Sequence, residues 1–209
     1  MIAEAIFRLQ VLTRGEPFLA RDSARQSDVL AELAGRRVAI VGNARSLGGG
    51  TMGASIDDHD LVIRMHRAPM PSARSHGSRT DWLALGVPVE RDVITDRNPV
   101  RLLWMARKRK RLSRRIVTAR GFYRHPPADW RALQAELSAP PSTGILLIDL
   151  VARSGAASID LFGFDFFASL SLTGRRTAEQ VPHDFAAERR WVAELMAVDG
   201  RVVLQKPSD

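Results

Sequence analysis

The sequence predicts an α/β protein, a single-domain α/β/α sandwich built on a mostly parallel, Rossmann-like sheet. Three observations lead there. Short apolar runs alternate with segments of helical spacing, as in sheets covered on both faces. A length of 209 residues suits one ordinary domain with a substantial core. Neither an internal repeat nor a linker-like tract divides the chain, since the Pro-rich "APPSTG" is too short to separate domains.

The elements follow in order. "SDVLAELAG", Ser27 to Gly35, has a capping residue, apolar positions at helical spacing and a terminal glycine, so a helix stops at Gly35. Residues 1–35 form an N-terminal helical segment and residues 36–209 the main domain. Strands are expected at Arg37–Val41, Asp60–Met65, Thr80–Leu85, Arg114–Ala119, Ser158–Phe164 and Arg201–Gln205. Helices are expected at Val100–Leu112, Ala128–Leu137, Thr143–Arg153 and Phe185–Val198. Ligands of such sheets sit at the carboxyl ends of strands, so residues just after a strand take priority as site candidates.

Composition narrows the function. The 45% hydrophobic and 26% charged fractions fit a soluble globular protein, and no stretch approaches the roughly 20 apolar residues of a bilayer span. The N-terminus lacks the layout of an export signal. With no cysteine, disulfides and thiolate metal sites are excluded, and a cytoplasmic location is expected. The formal charge of +8 points to an anionic partner: nucleic acid, a membrane surface or a phosphorylated small molecule. Its densest run, Arg107–Arg115, holds seven basic residues in nine positions. That run is either a solvated helix face or an anion contact. It lacks the interleaved aromatic residues of single-strand nucleic-acid binders, so nucleic acid is the less favoured partner.

The loop after the first strand, "RVAIVGNARSLGGGTMG", fails two phosphate-binding patterns. GxGxxG needs glycine where Ala44 stands, and GxxxxGK[ST] needs lysine where Ala54 stands. Gly42 still permits a tight exit from the strand, and Asn43 brings an amide to the sheet's carboxyl edge. "PSTG", Pro141 to Gly144, opens an apolar helix whose first N–H groups, with the hydroxyls of Ser142 and Thr143, suit a phosphate; simple helix capping is the alternative. His183 precedes a helix. It reads as a general base or as a capping or surface histidine, since a neutral imidazole accepts a hydroxyl proton at neutral pH. Glu188 lies on a different face of that helix from His183 and reads as a cap-supporting acid. Asp58 and Asp60 form a DxD pair, which could hold a divalent ion.

"RVAIVGNARSLGGGTMGASIDDHDLVIRMHRAP" followed by "HGSRTDW" resembles the large sialylmotif of the sialyltransferases, glycosyltransferase family 29. "PSTGILLIDLVARSGAASIDLFGFD" is similar to the small sialylmotif, and "HDFAAE" (His183 to Glu188) to the very short HxxxxE motif. Three blocks in family order imply the glycosyltransferase A variant of sialyltransferases. They imply inverting, metal-free transfer of a sugar acid, sialic acid or a Kdo-like sugar, from its CMP conjugate to a glycan or lipid-linked glycan hydroxyl. No cofactor is implied beyond the donor, and IDDHD becomes a structural segment.

On this resemblance His183 is the catalytic base. Asn43, His66, Ser142, Thr143 and Gly144 hold the nucleotide, and Gly42 and Glu188 support them, with the glycine turn bringing backbone close to the nucleotide phosphate. The chain departs from the family in three places. His66 replaces an asparagine, where a protonated imidazole could pair with phosphate. The disulfide of animal members maps to Val38 and Ala156. The third motif has no counterpart in Ser171–Pro182, where Arg175 and Arg176 could supply charge instead. The expectation is a bacterial, cytoplasmic enzyme, with the basic run giving peripheral contact to an anionic inner membrane. The rivals are a CMP- or glycan-binding module without turnover and a basic nucleic-acid-binding protein.

Overall fold

The computed structural model describes residues 2–166, 172 and 180–206. Its centre is a seven-stranded sheet in the order β5-β4-β3-β2-β1-β6-β7, with every neighbouring pair parallel. The strands are β1 (Arg37–Val41), β2 (Leu61–Met65), β3 (Trp82–Leu85), β4 (Arg101–Trp104), β5 (Tyr123–Arg124), β6 (Ser158–Phe162) and β7 (Val202–Leu204). From β1 the chain steps outward to β5 and then returns to place β6 on the other side of β1. That reversal opens a crevice at the carboxyl ends of β1 and β6.

Because side chains alternate along a strand, each central strand feeds two cores. Val38 and Ile40 of β1 join a cluster with α2 (Gln26–Leu33), α7 (Pro127–Leu137), α8 (Thr143–Ala152) and α9 (Phe185–Val198). Ala39 and Val41 point the other way, toward Leu47, Ile56 and Phe162. Beyond these, Leu83, Leu85, Leu102 and Trp104 pack on α1 (Ile2–Ala20) and α6 (Arg114–Val117). Arg64 of β2, also fully buried, donates to the carbonyls of Arg79 and His76 at 2.6 Å each. Burial lowers its guanidinium to about 10. Val38 and Ala156, where animal relatives are expected to carry the disulfide, are both buried in the first cluster.

Two expected elements are corrected. Val100–Leu112 is not a helix: Arg101–Trp104 is β4, followed by a 3₁₀ turn at Arg109–Arg111. Leu, Met, Arg and Lys favour helices, but pairing Leu83 with Leu102 and burying all four β4 residues outweighs that preference. Arg114–Ala119 is not a strand but contains the short helix α6, whose Ile116 and Val117 are buried in the core shared with α1. The edge strand β5, only two residues long, has no periodicity to reveal it.

The other expected elements fall within a residue or two of their bounds. Gly35 ends the turn after α2 at φ +72° and donates its N–H to the Gly155 carbonyl at 2.7 Å. Both parts of the N-terminal helical segment are packed, with Phe7, Val11 and Leu19 in one cluster and Val29 and Leu33 in the other.

Candidate active site

A cleft of about 890 Å³ opens at the carboxyl ends of the strands. The sequence candidates Gly42, Asn43, His66, Ser142, Thr143, Gly144, His183 and Glu188 all line it. Four chain segments far apart in sequence therefore meet there. Arg175 and Arg176 lie outside the described residues.

The floor is set by backbone approach. A Cβ at Gly42 would sit 2.3 Å from the Gly163 carbonyl oxygen, so β1 and β6 can exit side by side only with glycine there. Asn43 follows, and its side-chain amide donates to the Met65 carbonyl at 3.3 Å, tying the end of β1 to the end of β2. Gly86, just after β3, was not among the sequence candidates. A Cβ there would lie 2.3 Å from Thr143 Oγ1 and 3.3 Å from His66 Cε1, so its absence lets the α8 start approach the sheet. A glycine directly after a strand was the available signal.

The glycine turn plays a smaller part than expected. Arg45–Gly49 forms a 3₁₀ turn, and none of residues 45–53 lines the cleft. Its last glycine packs elsewhere: a Cβ at Gly53 would overlap the Ala73 carbonyl, where α3 (Gly53–Asp57) meets α4 (Ala73–His76). That helix contact accounts for Gly53, whereas a Cβ at Gly49 would meet nothing within 4 Å. The glycine turn does not form a cradle around the cleft.

The α8 N-terminus is the site's anion-directed feature. Ser142 is the N-cap, its hydroxyl accepting from Ile145 N at 3.3 Å and its carbonyl from Leu146 N at 3.1 Å. Glu188 reaches across from α9 and accepts from Ser142 N at 2.7 Å and Ser142 Oγ at 2.9 Å. The N–H groups of Thr143 and Gly144, the first two residues of α8, lie too early for an intrahelical acceptor, and the helix dipole points its positive end there. Glu188 is 3% exposed, and burial pushes its carboxyl up to about 7 despite the two hydrogen bonds from Ser142.

His183 stands beside this helix start. Its Nδ1 is 2.8 Å from the Pro140 carbonyl. A carbonyl only accepts, so Nδ1 carries a proton, and in the neutral ring Nε2 keeps its lone pair. His66, at φ +56° after β2, is half-buried, and its Nδ1 is enclosed and unpartnered among the described residues. Burial first, then His183 and Arg67, hold its imidazole down at about 4. The protonated His66 entertained from sequence is therefore disfavoured, and a neutral ring offers a hydrogen bond in place of a charge.

Part of the basic run reaches the site. Arg107, Lys108 and Arg111 line the cleft, and the Arg107 guanidinium sits 4.8 Å from the Trp130 ring centroid, within cation–π range. By contrast, the DxD pair lies at the opposite edge of the sheet, before β2. Arg37, the first residue of β1, contacts Asp58 at 3.0 Å and Asp60 at 3.3 Å. His59 bonds Asp160 at 3.0 Å, and Asp57 accepts from the Ser78 and Arg79 N–H groups at 2.7 and 3.0 Å. This segment braces the fold.

Residues 16–87 match the family described as Glycosyltransferase family 29 (sialyltransferase). A comparison with curated protein sequences finds no match. Among solved structures, a mammalian sialyltransferase aligns at TM-score 0.60 and 21% identity, covering 89% of this chain and 80% of its own. A mammalian sialyltransferase in complex with Gal-beta-1-3GalNAc-ortho-nitrophenol aligns at 0.59 and 20%, covering 91% and 83%. The sialyltransferase CstII from Campylobacter jejuni, in complex with the substrate analogue CMP-3FNeuAc, aligns at 0.55 and 11%, covering 83% and 82%. Over residues 16–87 this chain is similar in sequence to glycosyltransferase family 29, and its fold across the whole sheet is similar to that of the solved sialyltransferases.

Proposed function

We propose that the chain transfers a sugar acid, sialic acid or a Kdo-like relative, from its CMP conjugate to a glycan hydroxyl, with inversion and without a metal. The observation that carries this reading is the fixed tautomer of His183. The Pro140 carbonyl accepts a hydrogen bond from Nδ1–H, leaving Nε2 of the neutral ring to remove the proton of an acceptor hydroxyl in the cleft that also holds the α8 start. The hydroxyl oxygen then attacks the sugar's anomeric carbon as the bond from that carbon to the CMP phosphate oxygen breaks. The Thr143 and Gly144 N–H groups and the Thr143 hydroxyl would receive the departing phosphate. Asn43, Gly42 and His66 form the rest of the nucleotide side. Asp58 and Asp60 are engaged by Arg37 at the far edge of the sheet, which favours a mechanism without a DxD-held ion.

A thermal-shift comparison of CMP, UMP, GDP and NAD tests the donor class. Stabilisation by CMP above the others is expected, because a native-state ligand raises apparent stability. Stabilisation by NAD alone would overturn the reading. CMP binding without release of CMP from CMP-sialic acid or CMP-Kdo would favour a binding module without turnover.

A further inference from the structure

Helix α1 is apolar on two faces, and the protein covers one of them. Phe7, Val11 and Leu19 are buried against β3, β4 and α6. Ile2, Ile6, Leu9 and Leu12 are 78%, 52%, 61% and 63% exposed. They follow steps of four, three and three residues, so they share the outward face of the helix. A single exposed leucine is ordinary, but four large aliphatic side chains on one face form a patch.

The surroundings of that patch carry several arginines alongside two acids, Glu4 and Asp22. Arg8, on the same helix, is exposed and pairs with Glu4 at 3.1 Å. Arg114 shares with Ile6 a groove of about 370 Å³ that Phe7, Phe18 and Val117 also line. The Arg109 guanidinium lies against Gly15, where α1 kinks at φ +60° and ψ −138°. The basic run thus extends from the α1 kink to the cleft, where Arg107, Lys108 and Arg111 form part of the wall.

We propose that the outward face of α1 and the Arg107–Arg114 part of the basic run, without Arg115, whose guanidinium turns inward onto the Val89 carbonyl, form a docking surface for an anionic lipid bilayer. The aliphatic stripe enters the headgroup boundary while the flanking guanidinium and ammonium groups pair with lipid phosphates. Charge complementarity selects this occupant. A second copy of the chain would bring another +8 against the same basic surface, whereas an anionic leaflet neutralises it. The cleft wall lies at the edge of this surface, so an acceptor presented from the membrane, a lipid-linked glycan, would reach His183. That last step rests on the proposed transferase function; the docking itself does not.

Co-sedimentation of the whole chain with mixed phosphatidylcholine and phosphatidylglycerol vesicles, against pure phosphatidylcholine, tests the surface. Binding to the anionic vesicles at least about tenfold stronger is expected, with Leu9→Glu and, separately, Lys110→Glu each lowering it by about fivefold or more. Leu12→Glu serves as a second stripe variant, with an unchanged melting curve as the folding control. Equal partitioning to both vesicle types, no sedimentation with either, or wild-type binding by the folded Leu9→Glu and Leu12→Glu proteins would overturn the proposal. So would a wild-type dimer by light scattering that Leu9→Glu converts to monomer. The vesicle assay uses neither CMP nor an acceptor, so its failure is distinct from failure of the donor assignment.

Discussion

Two polar corners of the sheet use the same residue types to opposite ends. At the amino edge, the Asp57–Asp60 segment turns its charges onto protein partners: Asp57 onto Ser78 and Arg79, His59 onto Asp160, Asp58 and Asp60 onto Arg37. At the carboxyl edge, Glu188 is engaged by Ser142, while His183, His66, Thr143 and Gly144 line a cleft, and His66 Nδ1 is enclosed without a partner among the described residues. Potent side chains are structural where the fold satisfies them and available for chemistry where it does not. IDDHD has the richer motif, yet it is the plainer HDFAAE whose histidine lines the cleft.

The sharpest way to break this comparison is to remove one open and one satisfied group. His183→Ala is expected to lower transfer of sugar from its CMP conjugate by about 10²–10⁴-fold, the usual contribution of a general base. Asp58→Ala should leave the turnover number unchanged in the same assay. Equal losses would dissolve the distinction. A large stability effect should instead come from the amino corner. At Gly77, φ is +69° and a Cβ would meet Asp57 Oδ1 at 2.4 Å. Gly77→Ala is expected to cost about 2–4 kcal/mol in urea unfolding while the residual folded protein keeps its CMP-induced shift.

The corners should also titrate in opposite directions. Glu188 binds its proton at about 7 in the folded state against 4.5 in the reference, so its contribution is greatest below pH 4.5 and is lost as pH rises through 7. Glu188→Gln keeps an acceptor for Ser142 N and a donor for Ser142 Oγ. It should gain on the order of 2 kcal/mol relative to wild type between pH 5 and pH 8, read by denaturant midpoints. Asp57 and Asp60 are instead held low. For Asp57 burial pushes up, but the Arg79 and Ser78 hydrogen bonds outweigh it; for Asp60 the Arg37 N–H bond leads. Their contribution is present above about 4 and lost as pH falls below it. The smallest change is expected from Asp58→Ala on stability, within about 1 kcal/mol, because its pair with Arg37 is solvent-exposed.

Much of the fold was legible because local signals agreed with the final packing. The Gly35 stop, the β-branched β1 run and the cap at Ser142 each encode their element in a few adjacent residues. β4 was not legible, since "RLLWM" has helix-compatible chemistry and becomes a strand only when β3 offers its edge. In the site, Asn43, the PSTG start and His183 stood out by position after strands or before helices. Gly86 carried the same positional signal, a glycine directly after a strand, but its role, a distance to Thr143, is one that no local pattern contains.

By itself the sequence determined the alternation of strands and helices, the excess positive charge and the segments that carry chemistry-bearing side chains. Periodicity, composition and capping depend on neighbours along the chain, so one dimension suffices to read them. The tertiary structure alone decided that Glu188 clasps Ser142, that Pro140 sets the His183 tautomer and that the glycine turn packs away from the cleft. Each of these depends on groups brought together from 43 or 46 positions apart, or on a backbone path, and hydrogen bonds act over about 3 Å of space with no regard to distance along the chain.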